Sequence, residues 1–139
     1  MAAFNKFEAF TEAVAEKKHN LGSDQLVVAL CNAANAPSAS GDAVLADLVT
    51  VAYTNLSTRN ITTASSAQTA GVYKLTLTDL ILTASGGSVA AFRYVVIYND
   101  TATNDELIGW YDYGADLTLL DGETLTIDFD GSGGALTLT

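Results

Sequence analysis

Cysteine, proline and histidine occur once each, as Cys31, Pro37 and His19, and bases are scarce, with 6 lysines and arginines against 16 aspartates and glutamates. Each shortage excludes something. A lone thiol cannot close an intrachain disulfide, so the fold has to stand on packing. Within the apolar run LVVALC, Cys31 reads as a small buried hydrophobe. One histidine and one cysteine cannot assemble a zinc site of the usual kind. A Ser-His-Asp or Cys-His system would have to use His19, which follows Lys17 and Lys18 at the expected end of a helix, in a capping or solvated position. No phosphate loop of the G-x-x-x-x-G-K-[ST] type is present. The net charge of −10 repels phosphate backbones, so nucleic acid is not an expected partner. A partner surface should be neutral or basic. No apolar run approaches the ~18 residues of a membrane-spanning helix. The start, MAAFNKFEAF, lacks a basic stretch followed by an apolar one, so no secretory leader is expected and the sequons NLS, NIT and NDT carry little weight.

What remains is a chain of 139 residues, 49% hydrophobic and 16% charged, suited to one globular domain. We expect a single domain over 1–139, with an N-terminal helical segment at 1–22 and a β-sandwich at 23–139. Residues 3–19 read as a helix, because Phe4, Phe7, Phe10 and Val14 recur at steps of three and four. Lys17, Lys18 and His19 would complement the dipole of its last turn, and Gly22 would stop it. Beyond it the pattern turns to a period of two. Strands are expected at 24–31, 72–83, 92–99, 106–114 and 123–130, with shorter ones at 116–123 and 134–139. The segment 44–54 mixes a helical turn with a strand. The polar stretch 57–71 holds one or two strands and an exposed loop. About eight strands with frequent turn signals predict a mainly β fold, an antiparallel β-sandwich or jelly roll with one N-terminal α-helix.

The stretch DFDGSGG (128–134) begins like a calcium loop, with Asp128, Asp130 and Ser132 alternating before Gly133. A calcium loop of that type requires flanking helices and a glutamate at its twelfth position, which is Thr139 here. The stretch therefore reads first as a hairpin turn between 123–130 and 134–139, with weak cation contact as the lesser alternative. Asp112, Asp116, Asp121 and Glu123 lie near one another in sequence, as glycosidase carboxylates would, but proximity is their only credential. GWYDYG (109–114) is more informative. On a strand, Trp110 faces away from Tyr111, and Tyr113 shares the side of Tyr111. One side enters the core, and the other is open to a partner protein or a sugar. The phenylalanine stripe likewise packs either on its own sheet or on another subunit.

The segments FNKFEAFTEAVAEKKHNLGSDQLVVALCN, VLADL and FRYVVIYNDTATNDELIGWYDYG, with LTLLDGETLTIDFDGSGGALTL, resemble a group of small virion proteins of tailed bacteriophages encoded near the major capsid gene. Some of these act as capsid cement or decoration proteins. The likeness covers most of the chain and is weakest over 55–71. It implies a jelly-roll-like β fold, a small oligomer (dimer or trimer) on the outside of an icosahedral head, the major capsid protein as partner, synthesis in the bacterial cytoplasm, no cofactor and no enzymatic activity. It brings no functional residue with it. Candidate contacts are therefore chosen from the residues themselves: Phe4, Phe7 and Phe10 on the helix, and Trp110, Tyr111 and Tyr113 on the strand. Two other classes remain open, a tail or neck component of the virion and a carbohydrate-binding module.

Overall fold

The computed structural model describes residues 2–139. Ten strands and one α-helix follow in the order β1 (Phe4–Lys6), α1 (Glu8–Ala15), β2 (Leu26–Cys31), β3 (Asn60–Ile61), β4 (Thr63–Thr69), β5 (Val72–Leu77), β6 (Leu80–Thr83), β7 (Phe92–Asn99), β8 (Leu107–Leu117), β9 (Thr124–Ile127) and β10 (Leu136–Leu138). Short 3₁₀ turns occupy Ala33–Asn35 and Leu45–Asp47. Every strand pair is antiparallel. The fold is mainly β, with a five-stranded sheet of order β1-β8-β7-β2-β3, a three-stranded sheet β10-β5-β4 and a two-stranded sheet β6-β9.

The five-stranded sheet is the middle layer. Its front face sends Leu26, Val28, Leu30, Val95, Ile97, Ile108 and Tyr111 against Leu75 and Leu77 of β5, Leu80 and Leu82 of β6, and Ile127 and Phe129 beyond. Its back face carries Val27, Ala29, Cys31, Tyr94, Val96, Tyr98, Leu107 and Trp110, covered by Phe7, Leu45 and Leu48. Burial on both faces explains why β2 reads as an unbroken apolar run: all six of its residues are buried. A sheet with one wet face would have alternated.

The helix is shorter than its phenylalanine spacing predicts, and this is a correction. Phe4 lies on a strand whose register places it opposite Tyr111. Phe7 is the extended N-cap, with φ −72° and ψ 141°. Only Phe10 is helical. The three rings consequently do not share a stripe. Phe7 belongs to the back cluster, whereas Phe10 belongs to the front and Phe4 packs against that same front core. The helical turns end at Ala15 with Glu16 as C-cap, four residues before His19.

Two crossings between sheets were also not expected. The segment 72–83 is not one strand but β5 and β6, in different sheets. The buried residues shift from odd positions (Leu75, Leu77) to even ones (Leu80, Leu82). Asp79 sits at the step and its Oδ1 accepts the N–H of Phe129 at 2.9 Å. DFDGSGG likewise joins β9 of one sheet to β10 of another, so it is a crossover and not a hairpin turn.

Gly109 admits β1 to the sheet edge. A Cβ there would collide with the ring of Phe4 and come within 2.6 Å of the Asn5 carbonyl oxygen. Gly109→Ala is therefore expected to push β1 off β8 and destabilise the protein by about 1–3 kcal/mol through overpacking. Phe10→Ala, at a site 1% exposed, should cost about 3–5 kcal/mol. Glu12→Ala, on the exposed side of α1, should stay within about 0.5 kcal/mol. Denaturant unfolding of the three variants checks the order.

Candidate functional site

The structure divides the six candidate contact residues. Phe7, Phe10 and Tyr111 are buried at 0%, 1% and 3% exposure, which withdraws them from any partner surface of this chain. Phe4, Trp110 and Tyr113 are half-buried. Trp110 and Tyr111 do face opposite sides of β8. Tyr111 contacts Phe4 (centroids 5.6 Å apart) and Phe129 (6.0 Å) in the front core. Trp110 leans on Phe7 at 4.6 Å. Tyr113 packs on the same front core as Tyr111. Burial pushes the Tyr111 hydroxyl up to about 12 and raises that of Tyr113 as well. These rings are structural: they close the two edges of the core at β8, and Trp110 has one ring face already taken.

DFDGSGG is a self-contained turn. Asp130 Oδ1 accepts the N–H of Ser132 (2.9 Å), the hydroxyl of Ser132 (3.0 Å) and the N–H of Gly133 (2.8 Å). The Gly133 N–H, with the Ser132 hydroxyl and N–H, holds this carboxyl below the usual range. That oxygen is engaged in closing the turn on itself. Among the described residues no three His, Cys, Asp or Glu side chains come together as a metal would require. Of the clustered acids, Asp112 is occupied by a bidentate pair with Arg93 (2.8 and 3.1 Å) and by the Gly114 N–H (2.8 Å). Asp116 accepts the N–H of Ala33 and Asp121 that of Gly86. Glu123 accepts the N–H of Leu120. Asp112 thus braces the β7–β8 pair, and the other three each hold a loop or turn backbone.

The polar group that sequence reasoning missed is centred on Asn99, which is fully buried. Its Oδ1 accepts the N–H groups of Thr101 (3.0 Å) and Ala102 (3.1 Å). The amide orientation is thereby fixed, and Nδ2 must donate on the other side. It donates to Asp24 Oδ2 at 2.7 Å and to His19 Nδ1 at 3.0 Å. His19 Nδ1 is then an acceptor, and its proton sits on Nε2. That nitrogen is buried without a partner, while the ring rests on Phe10 at 5.1 Å. His19 is thus neither a helix cap nor a solvated residue, as its neighbours had suggested. It ties the segment after α1 to the end of β7. An open groove of about 800 Å³ lies beside it, lined by Lys17, Lys18, Ser66, Tyr73 and Thr101 among others.

Chemically this arrangement holds a neutral imidazole as a hydrogen-bond acceptor. Among the described residues no hydroxyl or thiol is hydrogen-bonded to the ring, so the geometry positions the histidine to fasten and not to activate. Cys31 is buried on the back face, and desolvation pushes its thiol up to about 11. That keeps it protonated and inert at neutral pH.

Burial lowers the His19 pKa from its ordinary 6.5, against the opposing pull of Glu106 and Asp24. The unfolded chain then binds more protons than the folded one just below pH 6.5. The stability from this group is complete above that pH and is lost as pH falls through 6.5 toward the lowered folded value. Comparing unfolding of the wild type and His19→Gln across pH 4–8 should show a difference that shrinks on acidification. A constant difference would contradict the account. No family model matches this chain, and neither a curated protein nor a solved structure matches it.

Proposed function

We propose that this protein decorates the outer surface of a tailed-phage head, binding the major capsid protein across subunit boundaries and stiffening the shell. The observation that carries the reading is the segment-long likeness to small virion proteins, which spans both the N-terminal region and the β7–β8 hairpin. The fold is compatible with such a role. A cement protein works by area and shape and needs no reactive group, and the distinctive side chains here are engaged in holding loops and core.

The contact surface has to be reassigned. With Phe7, Phe10 and Tyr111 interior, and with Glu8, Glu12 and Glu16 exposed along α1, the helix offers an acidic face suited only to a basic patch. The outward side of β6–β9 is better suited to a neutral shell surface. Its register places Ile81 opposite Thr126 and Thr83 opposite Thr124. Ile81 is 56% exposed and none of the four is charged. Many copies on a repeating lattice would multiply a modest contact of this kind.

Adding the purified protein to heads stripped of it should give saturable binding, at hundreds of copies per head, and a higher temperature of shell rupture. Ile81→Asp should weaken that binding by about tenfold or more, equivalent to roughly 1.4 kcal/mol, without altering the protein's own unfolding. Binding confined to one vertex or to the tail, or no gain in shell stability, would overturn the proposal.

A further inference from the structure

β4 ends its sheet: in the order β10-β5-β4 its far side has no neighbouring strand among the described residues. It is the longest of the unpaired edges, with seven residues against two to four in β1, β3, β6, β9 and β10. Long edges are commonly blunted with lysine, proline or an inward charge. This one, TASSAQT, has none of these. From Asn60 to Tyr73 the chain carries no charged residue, although the whole carries −10. Its only irregularity is a register shift between Thr63 and Ser65.

The hairpin that follows fixes which backbone groups are free. Thr69 pairs with Val72 across the two-residue loop Ala70–Gly71, and both loop residues have positive φ (52° and 84°). That is a type I′ turn, whose closing pair exchanges both of its backbone bonds. Bonded pairs alternate along an antiparallel ladder. Residues 69, 67 and 65 therefore direct their N–H and C=O groups to β5, and Ser66 and Gln68 direct theirs to the empty side. Ala67 opposes Lys74 and is exposed, while Ser66 opposes buried Leu75. The outward edge is a regular five-residue template, Ser65–Thr69, with small side chains at its centre.

We propose that this edge pairs with β4 of a second copy of the chain, antiparallel about a two-fold axis at Ala67. In that register Ser66 exchanges both backbone bonds with Gln68 of the other copy, and Gln68 does the same with Ser66, for a total of four bonds. The two Ala67 residues then meet as a non-bonded pair with Cα atoms about 4.5 Å apart, a spacing that a methyl group fills without collision. Self-complementarity of this kind is what a two-fold contact demands. Charge selects the partner: this is where an acidic chain can bring its own copy within strand-pairing distance without facing acid with acid. The contact is far smaller than the ~1,600 Å² of a standard stable interface. It is consequently weak between free molecules, and it strengthens where copies are held side by side at effective concentrations of order millimolar. The pairing does not depend on the head-decoration reading, and its cross-linking and sedimentation tests need only the free protein.

The test uses Ala67→Cys, with Thr126→Cys on the exposed side of β9 as control. Cys31 stays in both, buried and inert. At about 1 mM protein, near the effective concentrations just cited, mild oxidation should link Ala67→Cys into a disulfide dimer at least tenfold faster than the control. A centre-line pair has the Cα spacing a disulfide needs. Sedimentation of the otherwise unaltered protein should show a concentration-dependent dimer. Ala67→Lys, which sets two ammonium groups face to face, should abolish it with monomer unfolding little changed; Gln68→Pro, which removes an outward N–H together with the Gln68 Oε1 bond to the Gly71 N–H, should abolish it where Gln68→Ala, which loses only that side-chain bond, does not. Equal linking rates, a monomer at every concentration, or a dimer that survives both Ala67→Lys and Gln68→Pro would overturn the proposal. So would β4 amides that gain hydrogen-exchange protection only on a capsid, because the edge would then belong to the shell protein.

Discussion

The central pair β2–β7 depends on being dry on both faces. Leu26, Val28 and Leu30 point into the sandwich, and Val27, Ala29 and Cys31 point the other way under a cover of Phe7, Leu45 and Leu48. A strand of this composition would be unstable with one face in water, because each large side chain removed from solvent contributes about 1.5–3 kcal/mol. The rest of the molecule follows from providing the two covers. The front cover is the pair of smaller sheets. The back cover is irregular, built from the 32–54 loop and the N-cap of α1. Without a disulfide, the loop is held by polar contacts that fix backbone: Asp47 Oδ2 accepts the N–H groups of Ala43 and Val44, and Asp42 Oδ2 accepts that of Ser38.

The two covers explain where the polar side chains went. Asp47, Asp112, Asp116, Asp121, Glu123 and Asp130 all accept backbone N–H groups. A loop-rich β protein has many such donors to satisfy, and short acidic side chains reach them well. The excess of acids is therefore partly architectural. It leaves an acidic exterior interrupted by neutral strands, of which β4 and the outward side of β6–β9 are the clearest. The proposed contacts follow that distribution: like charge opposes close approach of two copies over most of the surface, and the neutral strands are where it does not.

Much of the fold was legible in the sequence. The unbroken run at 24–31, the alternation at 123–130 and the opposite facing of Trp110 and Tyr111 each reported a local packing environment. The failures share a cause. Phe4, Phe7 and Phe10 at three-residue steps fit a helical stripe, but the free edge of β8 at Gly109–Tyr111 captures Phe4 as a strand and lets Phe7 cross to the back face. That competition is tertiary and leaves no trace in spacing. The sheet change after Leu77 did leave one, in the parity shift to Leu80 and Leu82. The lysines that flank His19 describe its neighbours and not its ring, which a residue 80 positions away holds in place. The candidate contact residues are all aromatic, and the apolar rings of Phe7, Phe10 and Tyr111 are drawn into the core. The neutral edge of β4 has no such signature. Its signal is the absence of charge over Asn60–Tyr73.

Native-state hydrogen exchange of the free protein tests the central claim most directly. If the doubly covered pair organises the molecule, the amides of Val27–Cys31 and Val95–Tyr98 should exchange only through global unfolding, all with the same free energy, and β4 should exchange far faster. Amides of the β2–β7 ladder that exchange through a smaller, separate opening of the 32–54 loop would contradict it, because the second cover would then be an ornament on a one-faced sandwich.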